Sequence, residues 1–190
     1  QLSQSGERTL TSVIVPRYVA HIHPVISTTF RSVEALVDFA GATHSIVFDF
    51  FIKTTGKGDL YESVLRLLPL ISAPSILQKL RVRALALSCL TTHYADLWQS
   101  VYRPDFRRQR WSSDSPLLAN AAAIQTPVGA ASAASVAPSN SGDAAEAAPT
   151  ASTTDSATDF FADLTPAWQR HCALRTDYAR RQALVEIDVL

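Results

Sequence analysis

The chain has 190 residues, 47% of them apolar, and a formal net charge of zero. That is enough chain for one ordinary domain with a real core, or one domain plus a tail. The balanced charge excludes a broadly basic protein that coats nucleic acid by charge alone, while leaving room for a local basic face. The two cysteines, Cys89 and Cys172, lack CxxC spacing, which argues against a disulfide framework or a zinc site and for buried reduced thiols. No run of about 18 apolar residues could span a bilayer, and no charged-then-apolar signal opens the chain.

In chain order, residues 9–15 are rich in β-branched side chains and stop at Pro16, which predicts a strand closed by a residue that cannot donate to a ladder. Residues 18–26 read as a second strand weakened near Pro24. Val33, Leu36, Val37 and Ala40 recur at helical spacing, with Gly41 as the expected stop. Thr43 opens a second helix, predicted to bury Ile46, Val47, Phe50 and Phe51. Residues 54–59 form a polar turn freed by Gly56 and Gly58, and residues 60–68 a short helix or strand running into Pro69.

Pro74 starts a long helix expected to reach Tyr102, with Leu80, Leu85, Leu87, Trp98 and others on its apolar side. A basic, aromatic-bearing stretch follows, from Arg103 to Trp111. Residues 118–158 shift to Ala, Ser, Thr and Pro, a composition that cannot offset the entropy of ordering and reads as disordered linker. Thr165 and Pro166 are the expected N-cap and first residue of a final helix. The chain holds no methionine, opens at Gln1 in the approach to a strand and ends at Leu190 inside an apolar helical pattern, and so is expected to be a segment of a longer protein.

Three stretches carry a resemblance: Gly6-Glu7-Arg8-Thr9-Leu10 closing on Ile14-Val15-Pro16; residues 43–70, with Ser45-Ile46-Val47-Phe48-Asp49-Phe50, the turn at Lys57 and Leu67-Leu68-Pro69-Leu70; and Arg180-Arg181-Gln182-Ala183-Leu184-Val185-Glu186-Ile187-Asp188. By their order and spacing the chain resembles the C-terminal target-recognition part of large type IIG restriction-modification DNA methylases, adenine-specific enzymes that include phage-defence relatives. Two departures stand out. Gly6 occupies the place of the family's asparagine, and Gly56-Lys57-Gly58 replaces adjacent glycines followed by threonine. The resemblance implies a cytoplasmic protein that binds double-stranded DNA. It also implies an upstream catalytic domain of the same polypeptide, which would use S-adenosylmethionine. No cofactor is expected in this segment itself. The Asn-Pro-Pro-Tyr type of motif that clamps an extruded adenine is absent from the whole chain, so no catalytic residue is expected here.

The candidate DNA contacts fall in two places. The turn at 53–59 offers Lys53, Thr54, Thr55 and Lys57 around two glycines that let backbone approach a phosphate; the bland alternative is a solvated helix-to-strand corner. Arg103, Arg107, Arg108 and Arg110, interleaved with Tyr102, Phe106 and Trp111, could neutralise phosphates and stack on bases, or could equally pair with Asp96 and Asp105 at a helix end. The arginines of the last helix read as a solvated face. Asp49, inside an apolar helix, needs a partner such as Lys53, Arg66 or a helix N-terminus; the matching aspartate of the family looks structural. His21, His23, His44 and Asp38 show no metal-ligand spacing, so no metal is expected. Residues 38–42 carry one glycine where an S-adenosylmethionine loop needs two.

The sequence thus predicts an α+β fold: a small sheet from residues 9–15 and 67–70 packed by helices, then a long helical hairpin interrupted by the disordered linker. Residues 1–72 would be the target-recognition-like part, 73–117 the long helix and basic-aromatic extension, 118–158 the linker and 159–190 the C-terminal helix. The rival reading is a helical protein-interaction or scaffold module without DNA binding.

Overall fold

The computed structural model describes residues 8–22, 25–115, 117–118 and 159–190. Among these the chain is helical and holds no β-strand, which corrects the α+β prediction. The reason lies in pairing, not in local preference. Residues 10–15 do alternate like a strand, with Leu10 and Ile14 buried and Thr11, Val13 and Val15 exposed. Their intended partner, residues 67–70, instead continues off a short helix through Leu67 N–H to Val64 O and Leu68 N–H to Leu65 O. A strand without a ladder is only an extended arm. The second predicted strand also fails, turning at Arg17 and Tyr18, where Tyr18 takes a left-handed φ of 67°. Residues 119–158, read from sequence as linker, lie outside the described residues.

Helix α1 (Val33–Thr43) is N-capped by Ser32, whose hydroxyl accepts from Ala35 N–H. Gly41, expected to end it, lies inside it. A Cβ there would come within 2.7 Å of the Leu80 side chain and 3.1 Å of Ala84 Cβ, so the glycine serves close approach of two helices. Helix α2 (Ile46–Thr54) is capped by Ser45. It buries Phe48, Asp49 and Ile52, whereas Ile46, Val47 and Phe50, predicted inside, are exposed. Helix α3 (Glu62–Leu65) is a single turn.

Helix α4 (Pro74–Ser88) is the centre of the molecule: Leu80 and the run 82–87 are buried on nearly every side. Such all-round burial explains why its apolar pattern has no clear polar face. It packs against α1 and against the last helix, α6 (Asp177–Asp188), and an arginine ties it to each. Arg81 reaches Asp38 of α1 at 2.5 and 2.7 Å, and Arg83 reaches Glu186 of α6 at 2.6 Å.

The predicted continuous helix to Tyr102 breaks at Ser88. The carbonyls that end α4 are taken by other partners: Ala86 O by Leu174 N–H, Leu87 O by Arg180, Cys89 O by the Trp168 indole and Leu90 O by Arg175. Helix ends need such partners for their orphan carbonyls, and here tertiary contacts supply them. The chain resumes as α5 (Ala95–Val101). Similarly, the final helix starts not at Thr165 but at Thr176, whose side chain caps Ala179 N–H. Thr165 is occupied otherwise, its carbonyl accepting from the buried Trp98 indole. Trp111, Phe160 and Phe161 cluster beside this junction, with the Arg83 guanidinium 5.8 and 5.2 Å from the Trp111 and Phe161 rings.

Candidate nucleic-acid interface

The three stretches that carry the family resemblance lie far apart in sequence and meet in one polar knot. Asp49, 1% exposed, accepts the amides of Thr9 and Leu10 at 2.5 and 2.7 Å and pairs with Lys53 at 2.9 Å. One turn earlier, the Arg8 guanidinium donates to His44 O and to Asp188 Oδ2 of α6. The other oxygen of Asp188 accepts the Ile46 amide at 2.6 Å, so a carboxylate from α6 sits at the N-terminus of α2. Thr43 adds a bond to Ser12. A buried carboxylate is tolerated only with donors on it, and this one has two amides and an ammonium. Burial pushes the Asp49 carboxyl up, but the Leu10 amide, Lys53 and the Thr9 amide outweigh it and leave it below the ordinary carboxylate range. The role is structural, with Lys53 the partner from among the sequence candidates.

His44 adds a pH dependence. Burial, then the nearby Arg8 and Arg180 charges, disfavour its protonated form and lower its pKa from 6.5 to about 4. Between those values the unfolded chain binds a proton that the folded chain does not. Stability is therefore full above pH 6.5 and falls as the pH drops toward 4, by up to ~3 kcal/mol for a shift of this size. Thermal unfolding of the native chain and of His44→Gln across that window checks it. The slope should be present in the first and largely gone in the second.

Helix α2 delivers the first set of predicted DNA contacts. Lys53 lies in its last turn and Thr55 caps its end. The threonine hydroxyls donate back into the helix, Thr54 to Phe51 O and Thr55 to Ile52 O, both at 2.7 Å, so they are not free donors for a phosphate. Gly56 takes a left-handed φ of 63° that turns the chain out of the helix. The corner is a helix C-terminus, whose dipole disfavours an anion. Contact with a phosphate there rests on lysine charge and on the exposed backbone of Lys57 and Gly58. Lys53 is held by Asp49, which leaves Lys57 as the exposed cation at the tip.

The arginine cluster is drawn into the fold. Arg103 pairs with Glu34 of α1, Arg107 donates to Ala162 O at 2.8 Å, Arg108 pairs with Asp105 and Arg110 with Asp159. Of the interleaved aromatics, Phe106 is fully buried and Tyr102 stacks edge-on against it, so neither offers a face to a base. Arg107 and Arg110 fasten the segment after α5 to residues 159–162, whereas Arg103 ties it to α1 and Arg108 pairs locally. The Arg103 and Arg108 pairs lie in solvent, where such pairs are weak and exchangeable for a phosphate.

Among the described residues, no group of three or more His, Cys, Asp or Glu could hold a metal ion. His21 bonds Ser27, Asp38 is committed to Arg81, and His23 lies outside the described residues. Residues 38–42 are part of α1, with Gly41 against Leu80, and do not form a loop that would fit S-adenosylmethionine. Cys89 and Cys172 are buried and unbonded, and burial, with Cys172 beside it, pushes the Cys89 thiol up to about 12. No single helix is long and apolar enough to cross a membrane.

The sequence missed two buried features. The Arg83–Glu186 pair hides in apolar-looking helices, although an arginine amid a run of Leu, Val and Ala is itself a signal that a partner must exist. The capture of Thr9 and Leu10 by Asp49 has no local signal at all. No protein-family model, curated protein or solved structure matches the chain.

Proposed function

We propose that this chain is a DNA-recognition segment of a restriction-modification or phage-defence DNA adenine methyltransferase, with catalysis and S-adenosylmethionine binding in an upstream domain of the same polypeptide. The observation that carries the reading is the convergence of residues 8–10, 44–49 and 188 in one polar knot. The three resembled stretches then act as one structural device, which anchors α2 and holds the lysine corner at its end in a fixed place. Contact with duplex DNA is assigned to Lys57 and the Gly56–Gly58 backbone, with Lys53 contributing field and Arg108 and Arg103 as secondary, exchangeable cations.

Duplex binding by the chain should weaken with salt, and Lys57→Ala should reduce the salt slope by about 1, the loss of one phosphate contact. Lys57 is the position to change, because Lys53→Ala would also disturb Asp49. Absence of salt-dependent binding by the folded chain would defeat the reading.

A second reading, a helical interaction module, is favoured by the outward face of α2. Ile46, Val47 and Phe50 are exposed there, and Leu67, Leu70 and Val189 are exposed elsewhere. Exposed apolar residues of this size suit a protein partner better than a phosphate backbone.

A further inference from the structure

The turn at Arg17 and Tyr18 lines a cavity of about 630 Å³, bounded by residues 14–18, by α1 and by the stretch from His93 to Ser100. A cavity of that size suits a small molecule. Ile14, Val33, Leu36 and Leu97 make its apolar wall. The Tyr94 hydroxyl donates to Ile14 O at 2.8 Å and so joins the arm to the start of α5 beside it. His93, Asp96, Leu97 and Ser100 recur at i, i+3, i+4 and i+7, which turns one helical face toward the cavity. Three polar side chains meet there without partners. Among the described residues, those of Arg17, His93 and Asp96 make no hydrogen bond or ion pair. Tyr18 adds a second oddity, being 103% exposed while holding a φ of 67°. Left-handed backbone is unfavourable for a tyrosine, and a ring wholly in water returns nothing to the fold. Both features coincide at the rim of the cavity.

We propose that this cavity binds a nucleotide, with the base stacked on Tyr18 and read by Asp96 and His93, and the phosphate held by Arg17. The placement of charge selects the ligand. Arg17 comes from the turn after the arm and Asp96 from α5, so a ligand that satisfies both carries an anion at one end and N–H donors at the other. The aromatic rim between them calls for a flat body. A nucleotide has that layout. Its phosphate accepts from the Arg17 guanidinium. Asp96 accepts from an exocyclic amine or ring N–H of the base, and His93, able to donate or to accept, takes the neighbouring edge atom. Leu36 and Leu97 supply apolar contact to the part of the ligand that enters. A free amino acid fits worse, because its ammonium and carboxylate share one carbon and cannot reach two walls. A fatty acid would leave Asp96 and His93 unmatched. The same chemistry is offered by a free mononucleotide and by a base turned out of a strand. Lys57 and the corner after α2 take no part, so the site does not rest on the duplex contact proposed above.

The test is titration calorimetry of the native chain with deoxynucleoside monophosphates, with the matching nucleosides, and with a duplex carrying one unpaired base beside its fully paired counterpart. A mononucleotide should bind if the ligand is free; if a strand supplies it, the duplex with the unpaired base should bind more tightly than the paired one. The paired duplex offers no free base and reads the Lys57 contact alone, so failure there and failure of this site are seen separately. Tyr18→Gly should lower the affinity roughly tenfold or more through lost stacking. It should melt no lower than the native chain, because glycine takes a left-handed φ freely and the lost ring packs on nothing. Arg17→Gln should weaken binding about tenfold, and for a free ligand only when the phosphate is present. A folded chain that binds no mononucleotide and does not prefer the unpaired base overturns the proposal. So does a Tyr18→Gly chain that binds as the native one does, or an Arg17→Gln chain that loses nucleoside and nucleotide alike.

Discussion

Asp49→Ala is expected to cost about 3–5 kcal/mol of stability, the usual penalty for breaking a buried charged network by removing one partner. The carboxylate is 1% exposed and receives the Thr9 and Leu10 amides and the Lys53 ammonium. Its loss takes the carboxylate from both amides and frees the arm from α2. Lys53 suffers less, being partly solvated. For a chain of this length the melting temperature should fall by roughly 10 °C. Asp49→Asn should do less harm, because its carbonyl oxygen still accepts the amides, though it no longer pairs Lys53. Denaturant titration of the three proteins provides the ranking. A loss below about 1 kcal/mol for the alanine variant would show that water replaces the carboxylate without penalty, and that the knot does not hold the arm. The DNA assay interacts with this result: if the knot positions the Lys57 corner, Asp49→Asn should weaken binding more than its stability loss explains.

The parts of this fold that were legible in the sequence are those governed by local chemistry. Pro74 before a leucine-rich run marks a true helix start, because the first-turn tolerance of proline acts within a few residues, and the spacing of Val33, Leu36, Val37 and Ala40 reports the helix α1. The need of Asp49 for a partner followed from its apolar neighbours, and Lys53 lay one turn away. What failed depended on distant groups. The arm has strand chemistry but no strand beside it, so β propensity is expressed as alternation without a sheet. The burial face of α2 was misassigned because Phe48 and Ile52, not Phe50 and Val47, are buried together with Asp49, so the one acid in an otherwise apolar turn marks the inner side rather than the outer one. The breaks after Ser88 and before Thr176 arise from Trp168, Arg175 and Arg180 capturing carbonyls from far along the chain, which no window of sequence displays. The arginine cluster likewise read as equally suited to phosphates or to acids. Asp159 and Glu34, two of the acids these arginines pair with, lie 49 and 69 residues from them.

Glu186→Ala should be comparably damaging, about 3–5 kcal/mol, and the manner of its rescue distinguishes charge from shape. Glu186 and Arg83 are each 5% exposed, and Glu186 also accepts the Ser112 amide and hydroxyl and the Gln182 amide. Removing it strands the Arg83 guanidinium among Trp111, Phe161 and the Lys79 and Arg110 carbonyls. Those carbonyls and rings soften the loss without neutralising the charge. Replacing both partners at once, Arg83→Met with Glu186→Leu, removes the two desolvated charges together and should recover much of the stability, leaving mainly the Ser112 donors unsatisfied. A double variant no better than Glu186→Ala would mean that the pair, with its Ser112 bonds, is what registers α6 and residues 110–112 against α4. Acid gives an independent check. Burial raises the Glu186 carboxyl, but the Ser112 amide, Gln182, the Ser112 hydroxyl and Arg83 together bring it below its ordinary value. A carboxyl lowered in the folded state contributes stability that is present above its unfolded pKa and lost as the pH falls through the folded one. Below the His44 window the native chain should therefore keep losing stability as Asp49 and Glu186 protonate, and the double variant should lose less of it there.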